Sequence, residues 1–181
     1  MNADRPARVV LVGFMGAGKS TVGPLVAQRL GWAFLDLDDD IEAVAGRTVP
    51  EIFATDGEAA FRAAERAAAE RAGRRERLVL ATGGGAFTVP ETRRVLQQGA
   101  LTVWLRCALD ALLARIPADG SRPLAANRAT IGPLLAGREP SYALADLTVD
   151  TTHTAPADVA RIIAEAATTR GRKEGGGTTE G

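Results

Sequence analysis

The chain has 181 residues, 46% of them apolar, and its 22 basic and 22 acidic side chains cancel to a formal net charge of zero. That length and composition suit one soluble globular domain around a single core; the balanced charge, with no basic block, argues against nucleic acid or an anionic membrane surface and for a small-molecule partner. A lone cysteine, Cys107, excludes an internal disulfide and a cysteine-built zinc site, and with nothing that reads as a signal peptide or membrane span the expected compartment is the cytoplasm.

In chain order, residues 8–14 form a short β-branched apolar run closing on Gly13 and Phe14, the pattern of a buried parallel strand. A helix is predicted from Lys19 to Leu30, with Gly31 as its stop. Residues 32–38 read as a second strand, and 39–45 as a short helix closed by Gly46. The stretch TVPE at 48–51 fits a capping box with proline in the first turn, and 58–72 is an alanine-rich helix. Further strands are predicted at 77–82, 100–105 and 147–151, the last followed by a helix over 157–167. Strands alternating with helices imply a parallel α/β sheet. Residues 116–128 contain Pro117, Gly120 and Pro123 but no periodicity, and read as a long functional loop; 170–181 read as a disordered tail.

Of the 22 basic residues 20 are arginine, which makes Lys19 conspicuous. Gly13, four residues, Gly18, Lys19 and Ser20 match the phosphate-binding loop G-x-x-x-x-G-K-[ST], placed after a strand and at the start of a helix. Glycines there let backbone N–H groups turn inward around phosphates, the helix start adds partial positive charge, Lys19 can reach the β- and γ-phosphates, and Ser20 can hold Mg²⁺. A compact ammonium fits inside such a loop where a broad guanidinium does not.

A second acidic anchor is expected near a neighbouring strand end. The third strand ends in Thr82 and three glycines, without a carboxylate, so the acid is sought at Asp36 and Asp38. Spaced i and i+2 at the end of the second strand, these two would point to one side, at the carboxyl edge where open α/β sheets bind ligands. The alternative is a solvated strand end plus a helix cap, which is the reading for Asp39 and Asp40. Gly83, Gly84 and Gly85 either admit a ligand close to the backbone or simply make a turn. Arg62, near Glu58 and Glu65 on one helix, has the bland account of a helical ion pair; Arg122 and Arg138 are each unremarkable alone. Cys107 reads as a small packed residue, and His153, the sole histidine, as a loop residue unable to form a metal cluster.

Taken together, GFMGAGKST, LDLD, EIFATDGEAAFRAAE, TGGGA, SRPL, REPSY and LTVDT, in that order between about 9 and 161, resemble the shikimate kinase family. The resemblance implies a three-layer α/β/α fold with a five-stranded parallel sheet, like nucleoside monophosphate kinases. It further implies one domain over 1–169, with a substrate-binding subdomain at about 36–64 and a mobile lid at 116–128. The implied activity is transfer of the γ-phosphoryl group of ATP to the 3-hydroxyl of shikimate, a step of aromatic amino acid and chorismate biosynthesis, by a monomer using Mg²⁺. Residue by residue, it assigns nucleotide contacts to Gly16, Ala17, Gly18, Lys19, Ser20, Thr21, Arg115, Arg122 and Thr154. Shikimate contacts fall to Asp38, Arg62, Gly83, Gly84, Gly85 and Arg138, the metal to Ser20 and Asp36, and catalysis to Lys19, Asp38 and Arg122. The rival readings are another small-molecule P-loop kinase, acting for example on gluconate, and a nucleotide-binding regulator with lapsed catalysis.

Overall fold

The computed structural model describes residues 6–116 and 128–169. Five parallel strands form its centre: β1 (Arg8–Val12), β2 (Ala33–Asp36), β3 (Leu78–Ala81), β4 (Ala100–Arg106) and β5 (Leu147–Asp150), in the spatial order β2-β3-β1-β4-β5. The continuous apolar runs of β1 and β3 belong to strands covered on both faces, and every residue of both is buried. β1 pairs with β3 through Val10 and Leu80 on one side and with β4 through Val10 and Thr102 on the other. The chain leaves β1 toward β3 and β2, then returns to β4, so the order reverses beside β1 and opens a crevice at the carboxyl ends of these strands.

Seven α-helices connect the described strands: α1 (Lys19–Leu30), α2 (Leu37–Ala45), α3 (Val49–Gly73), α4 (Pro90–Gln97), α5 (Leu109–Arg115), α6 (Arg128–Tyr142) and α7 (Pro156–Thr169). α1 packs against α7, and α3 against α4. Right-handed crossovers put these pairs on opposite faces of the sheet, giving the expected three layers. α1 has the predicted bounds, ending at Gly31 in the left-handed conformation. Thr48 and Glu51 form the predicted capping box, with the Thr48 N–H donating to Glu51 Oε2 at 2.7 Å. The two helical stretches read around 48–51 and 58–72 are halves of α3, joined at a kink where Gly57 has φ 81°.

One local expectation is corrected, and three helices lie where none was read. The second strand ends at Asp36 rather than at 38, because Asp36 caps α2, its Oδ1 accepting from the Asp38 N–H at 3.1 Å. Asp38 therefore lies in the first turn of a helix, and the i, i+2 strand geometry expected for Asp36 and Asp38 does not hold. The segment carrying REPSY is helical through α6, despite Pro133 and Pro140 within it. The short helices α4 and α5 were not anticipated. The expected loop at 116–128 begins at the buried Ile116, which ends α5, and its interior, 117–127, lies outside the described residues, as does the expected tail.

Gly23, in the middle of α1, lies against the sheet: a Cβ there would stand 2.2 Å from the Phe34 ring on β2. Gly23→Ala should therefore lower the melting temperature despite alanine's higher helix propensity, since overpacking costs about 1–3 kcal/mol against about 1 kcal/mol of propensity. In a Phe34→Leu background the same substitution should cost less, as a thermal-denaturation double-mutant cycle would show. An additive cycle would contradict this packing account.

Candidate active site

The turn after β1 forms the wall of a cleft of about 620 Å³ at the carboxyl edge of the sheet. Its shape depends on glycine. Gly13 has φ 142°, and a Cβ there would stand 2.7 Å from the Leu105 carbonyl oxygen on β4; Gly18, which precedes α1, has φ 101°. The Lys19 side chain folds back over the loop, its Nζ donating to the Gly13 carbonyl at 2.7 Å and the Phe14 carbonyl at 2.9 Å. The ammonium is thus held at the mouth of the loop, above a helix start. Thr151, buried at the end of β5, ties the loop to the far side of the sheet through its hydroxyl, which lies 3.1 Å from the carbonyl oxygens of both Ala17 and Arg106.

Gly16, Ala17, Gly18, Ser20 and Thr21 line this cleft together with Lys19. At one end stand Arg115 and Thr154. The Arg115 guanidinium is fixed by the Thr151 and Thr152 carbonyls at 2.9 and 3.0 Å and by Cys107 Sγ at 3.3 Å, so the buried cysteine supports an arginine. His153 lies exposed in the adjoining bend.

Toward the other end Ser20 Oγ donates to Asp36 Oδ2 at 2.9 Å. These are two hard oxygen donors beside the phosphate loop, a set suited to Mg²⁺, which usually keeps water and phosphate oxygens as its other ligands. Among the described residues no group of three or more His, Cys, Asp or Glu forms a cage of its own, so the fit is to a metal that arrives with phosphates. Asp39 also lines the cleft, and burial, with Asp36 and Glu42 adding, raises its carboxyl above the usual range. Asp40, half-buried, instead pairs with Arg71 at 2.7 Å.

Asp38, Gly83 and Gly84 complete the cleft. The glycine turn after β3 is where the remaining candidates converge. A Cβ on Gly83 would stand 2.9 Å from Asp38 Oδ1 and 3.4 Å from Glu65 Oε1, one on Gly84 would stand 3.1 Å from Arg138 Nη1, and one on Gly85 would stand 2.8 Å from both terminal nitrogens of Arg62. Arg62 and Arg138 lie beyond the cleft's lining, against the same turn. Each lies over an aromatic ring, Arg62 5.4 Å from the Phe61 centroid and Arg138 5.6 Å from that of Phe14. The structure thus gathers every candidate within the described residues, while Arg122 lies outside them.

Arg62 is more than a surface ion pair. Its Nη1 meets Glu65 Oε2 at 2.7 Å, and Glu65 is 1% exposed, while the pair with Glu58 at 3.4 Å is at the surface. Burial lowers the Arg62 pKa, but Glu65 and Glu58 outweigh it and the net shift is upward. Burial raises the Glu65 carboxyl, outweighing the opposing Arg62 guanidinium, with Asp38 adding to the rise. Glu65 Oε1 makes no hydrogen bond among the described residues. Sequence reading missed Glu65 as a site residue, although a signal was present: Phe61, Glu65, Ala68 and Ala72 share the buried stripe of α3, so this acid falls on the apolar face.

Comparison with known proteins agrees with this geometry. A family profile described as "Shikimate kinase" matches residues 15–168. A shikimate kinase of Moorella thermoacetica is 45% identical over 163 residues, covering 89% of this chain and 94% of that protein; one of Cereibacter sphaeroides is 43% identical, covering 90% and 83%. Among solved structures, the shikimate kinase of Acinetobacter baumannii in complex with shikimate superposes with a TM-score of 0.87 at 37% identity, over 94% of this chain and 97% of that one. A gluconokinase of Sinorhizobium meliloti covers 90% of this chain and 92% of its own with a TM-score of 0.56 at 20% identity, a likeness of fold alone. The phosphate loop, the carboxylates beside it and the arginines around the glycine turn are accordingly those of a member of the shikimate kinase family.

Proposed function

We infer that the protein is a shikimate kinase, transferring the γ-phosphoryl group of ATP to the 3-hydroxyl of shikimate. The observation that carries this reading is the turn Gly83–Gly85, which brings two arginines and the Asp38 carboxylate against the end of a phosphate-loop cleft. Shikimate carries one carboxylate and several hydroxyls. Two guanidinium groups match the carboxylate's planar two-point geometry, and a carboxylate suits the attacking hydroxyl. Arg62 and Arg138 would bind the carboxylate, Gly83 to Gly85 would let the ring approach the backbone, and Asp38 would accept or orient the proton of the attacking hydroxyl.

On the nucleotide side, the N–H groups from Gly16 to Thr21 and the start of α1 would cradle the phosphates, and Arg115 with Thr154 would flank the base. Lys19, held by two loop carbonyls, would neutralise charge on the transferring group. Ser20 and Asp36 would hold Mg²⁺, which when bound with nucleotide draws negative charge from the β- and γ-phosphate oxygens. Phosphoryl transfer depends on in-line placement and charge neutralisation more than on covalent help, so no enzyme-bound phosphoryl group is required. We include in this proposal a lid over 116–128 that carries Arg122 onto the phosphates and excludes water during transfer.

ADP release from MgATP with shikimate, quinate and gluconate side by side tests the reading. Shikimate should give by far the highest kcat/KM, and preference for gluconate would overturn it. Asp38→Asn should lower turnover on shikimate by roughly 10²–10⁴-fold, the range of general-base contributions, and leave MgADP affinity little changed in calorimetry. Near-normal turnover would remove Asp38 from the mechanism.

A further inference from the structure

Tyr142 ends α6, one helical turn beyond Arg138. Its side chain is 0% exposed, and its hydroxyl donates to the carbonyl of Gly84, 58 residues earlier in the chain. The Arg138 guanidinium lies close by: its charge acts on the phenol, and its Nη1 stands 3.1 Å from where a Cβ on Gly84 would be. The direction of the bond to Gly84 is fixed by chemistry. A carbonyl only accepts, so the phenol must give its proton to Gly84. The phenol is well suited to this: burial pushes its pKa up to about 12, against the opposing pull of Arg138, so the proton that reaches Gly84 is retained at any physiological pH.

The peptide joining Gly84 to Gly85 is planar and trans, so holding the Gly84 carbonyl also fixes the direction of the Gly85 N–H on its opposite side. That peptide lies between the two arginines, Arg138 against Gly84 and Arg62 against Gly85. Glycines have the widest backbone freedom of any residue, and a turn made of three of them needs an external restraint to keep one peptide orientation. No other side-chain hydrogen bond to the Gly84 carbonyl is found among the described residues. The ring itself is braced by Trp104 of β4, with centroids 6.0 Å apart.

We propose that Tyr142 is a positioning residue for the acceptor: its hydroxyl sets the Gly84–Gly85 peptide, against which Arg138 and Arg62 lie, and so governs shikimate affinity without touching the nucleotide half of the site. The proposal rests on the functional reading above. It assigns to Tyr142 the shape of the acceptor pocket rather than any step of phosphoryl transfer. Loss of the hydroxyl leaves the Gly84 carbonyl without its side-chain partner, and it can recover one only by turning away from its present direction.

The test compares wild type, Tyr142→Phe and Trp104→Phe by steady-state kinetics and thermal denaturation of the full chain. Tyr142→Phe should raise the KM for shikimate about tenfold while the KM for MgATP stays within about twofold. Trp104→Phe, which loosens the packing but keeps the hydroxyl bond, should lower the melting temperature without moving either KM. A Tyr142→Phe enzyme with native shikimate KM, or with both KM values raised equally, would overturn the proposal.

A second measurement does not depend on that variant folding. Tyr142 is the only tyrosine in the chain, so tyrosine labelled with ¹³C at the hydroxyl-bearing ring carbon gives a single resonance. Saturating shikimate should shift it and MgADP alone should not. A resonance unmoved by shikimate, in a wild type that turns shikimate over, overturns the positioning role alone. A wild type that releases no ADP with shikimate overturns the functional reading and this inference with it.

Discussion

The acceptor half of the molecule depends on the absence of side chains at Gly83, Gly84 and Gly85. Asp38 comes from α2, Arg62 and Glu65 from α3, and Arg138 from α6, and all four lie against this one turn, Asp38 at 2.9 Å and Arg62 at 2.8 Å from where a Cβ would stand, Arg138 at 3.1 Å and Glu65 at 3.4 Å. Two guanidinium groups and two carboxylates packed around a bare backbone balance one another's charge, which is the condition for keeping them partly or wholly buried at all. Glu65 shows the tension directly: it is buried almost completely, its carboxyl is pushed up, and it stays in place through Arg62. Burial thereby holds two guanidinium groups beside a carboxylate, the arrangement proposed to bind the acceptor.

The nucleotide half obeys a different constraint. A Cβ on Gly13 in the turn after β1 would stand 2.7 Å from the Leu105 carbonyl oxygen on β4, and the positive φ angles of Gly13 and Gly18 suit glycine. Lys19 folded onto the Gly13 and Phe14 carbonyls and Thr151 against Ala17 hold that turn from inside and from β5. The two halves meet where Gly84 approaches Gly13 and Met15, at 3.7 Å from a Cβ built there. The strand order makes this meeting unavoidable, since β1 and β3 are neighbours and both turns leave from their carboxyl ends.

What could be read in the sequence follows the range of the interactions involved. The phosphate loop, the bounds of α1, the stop at Gly46 and the capping box at Thr48 are set by contacts within a few residues, and these were legible. The helical nature of α6 was not, because Gly132, Pro133, Gly137 and Pro140 suppress the local signal while packing of Ile131 and Tyr142 holds the helix. Asp38 was read on a strand because LDLD alternates, whereas the Asp36 cap turns the chain into α2 one residue later. Tyr142 and Thr151 act across 58 and 134 residues, and no local pattern encodes such partners. The family resemblance supplied the arginines, which composition could not single out among 20.

The central claim is that a bare glycine turn shapes the acceptor pocket independently of the nucleotide loop. Gly85 has φ −97°, a conformation alanine adopts without strain, so Gly85→Ala adds only a methyl group, 2.8 Å from the Arg62 guanidinium. Isothermal titration of that variant tests the claim most directly. Shikimate binding should be weakened by at least tenfold, or lost, while MgADP binds as to the wild type and the melting temperature changes little. Native shikimate affinity in Gly85→Ala, or equal loss of both ligands, would contradict the account.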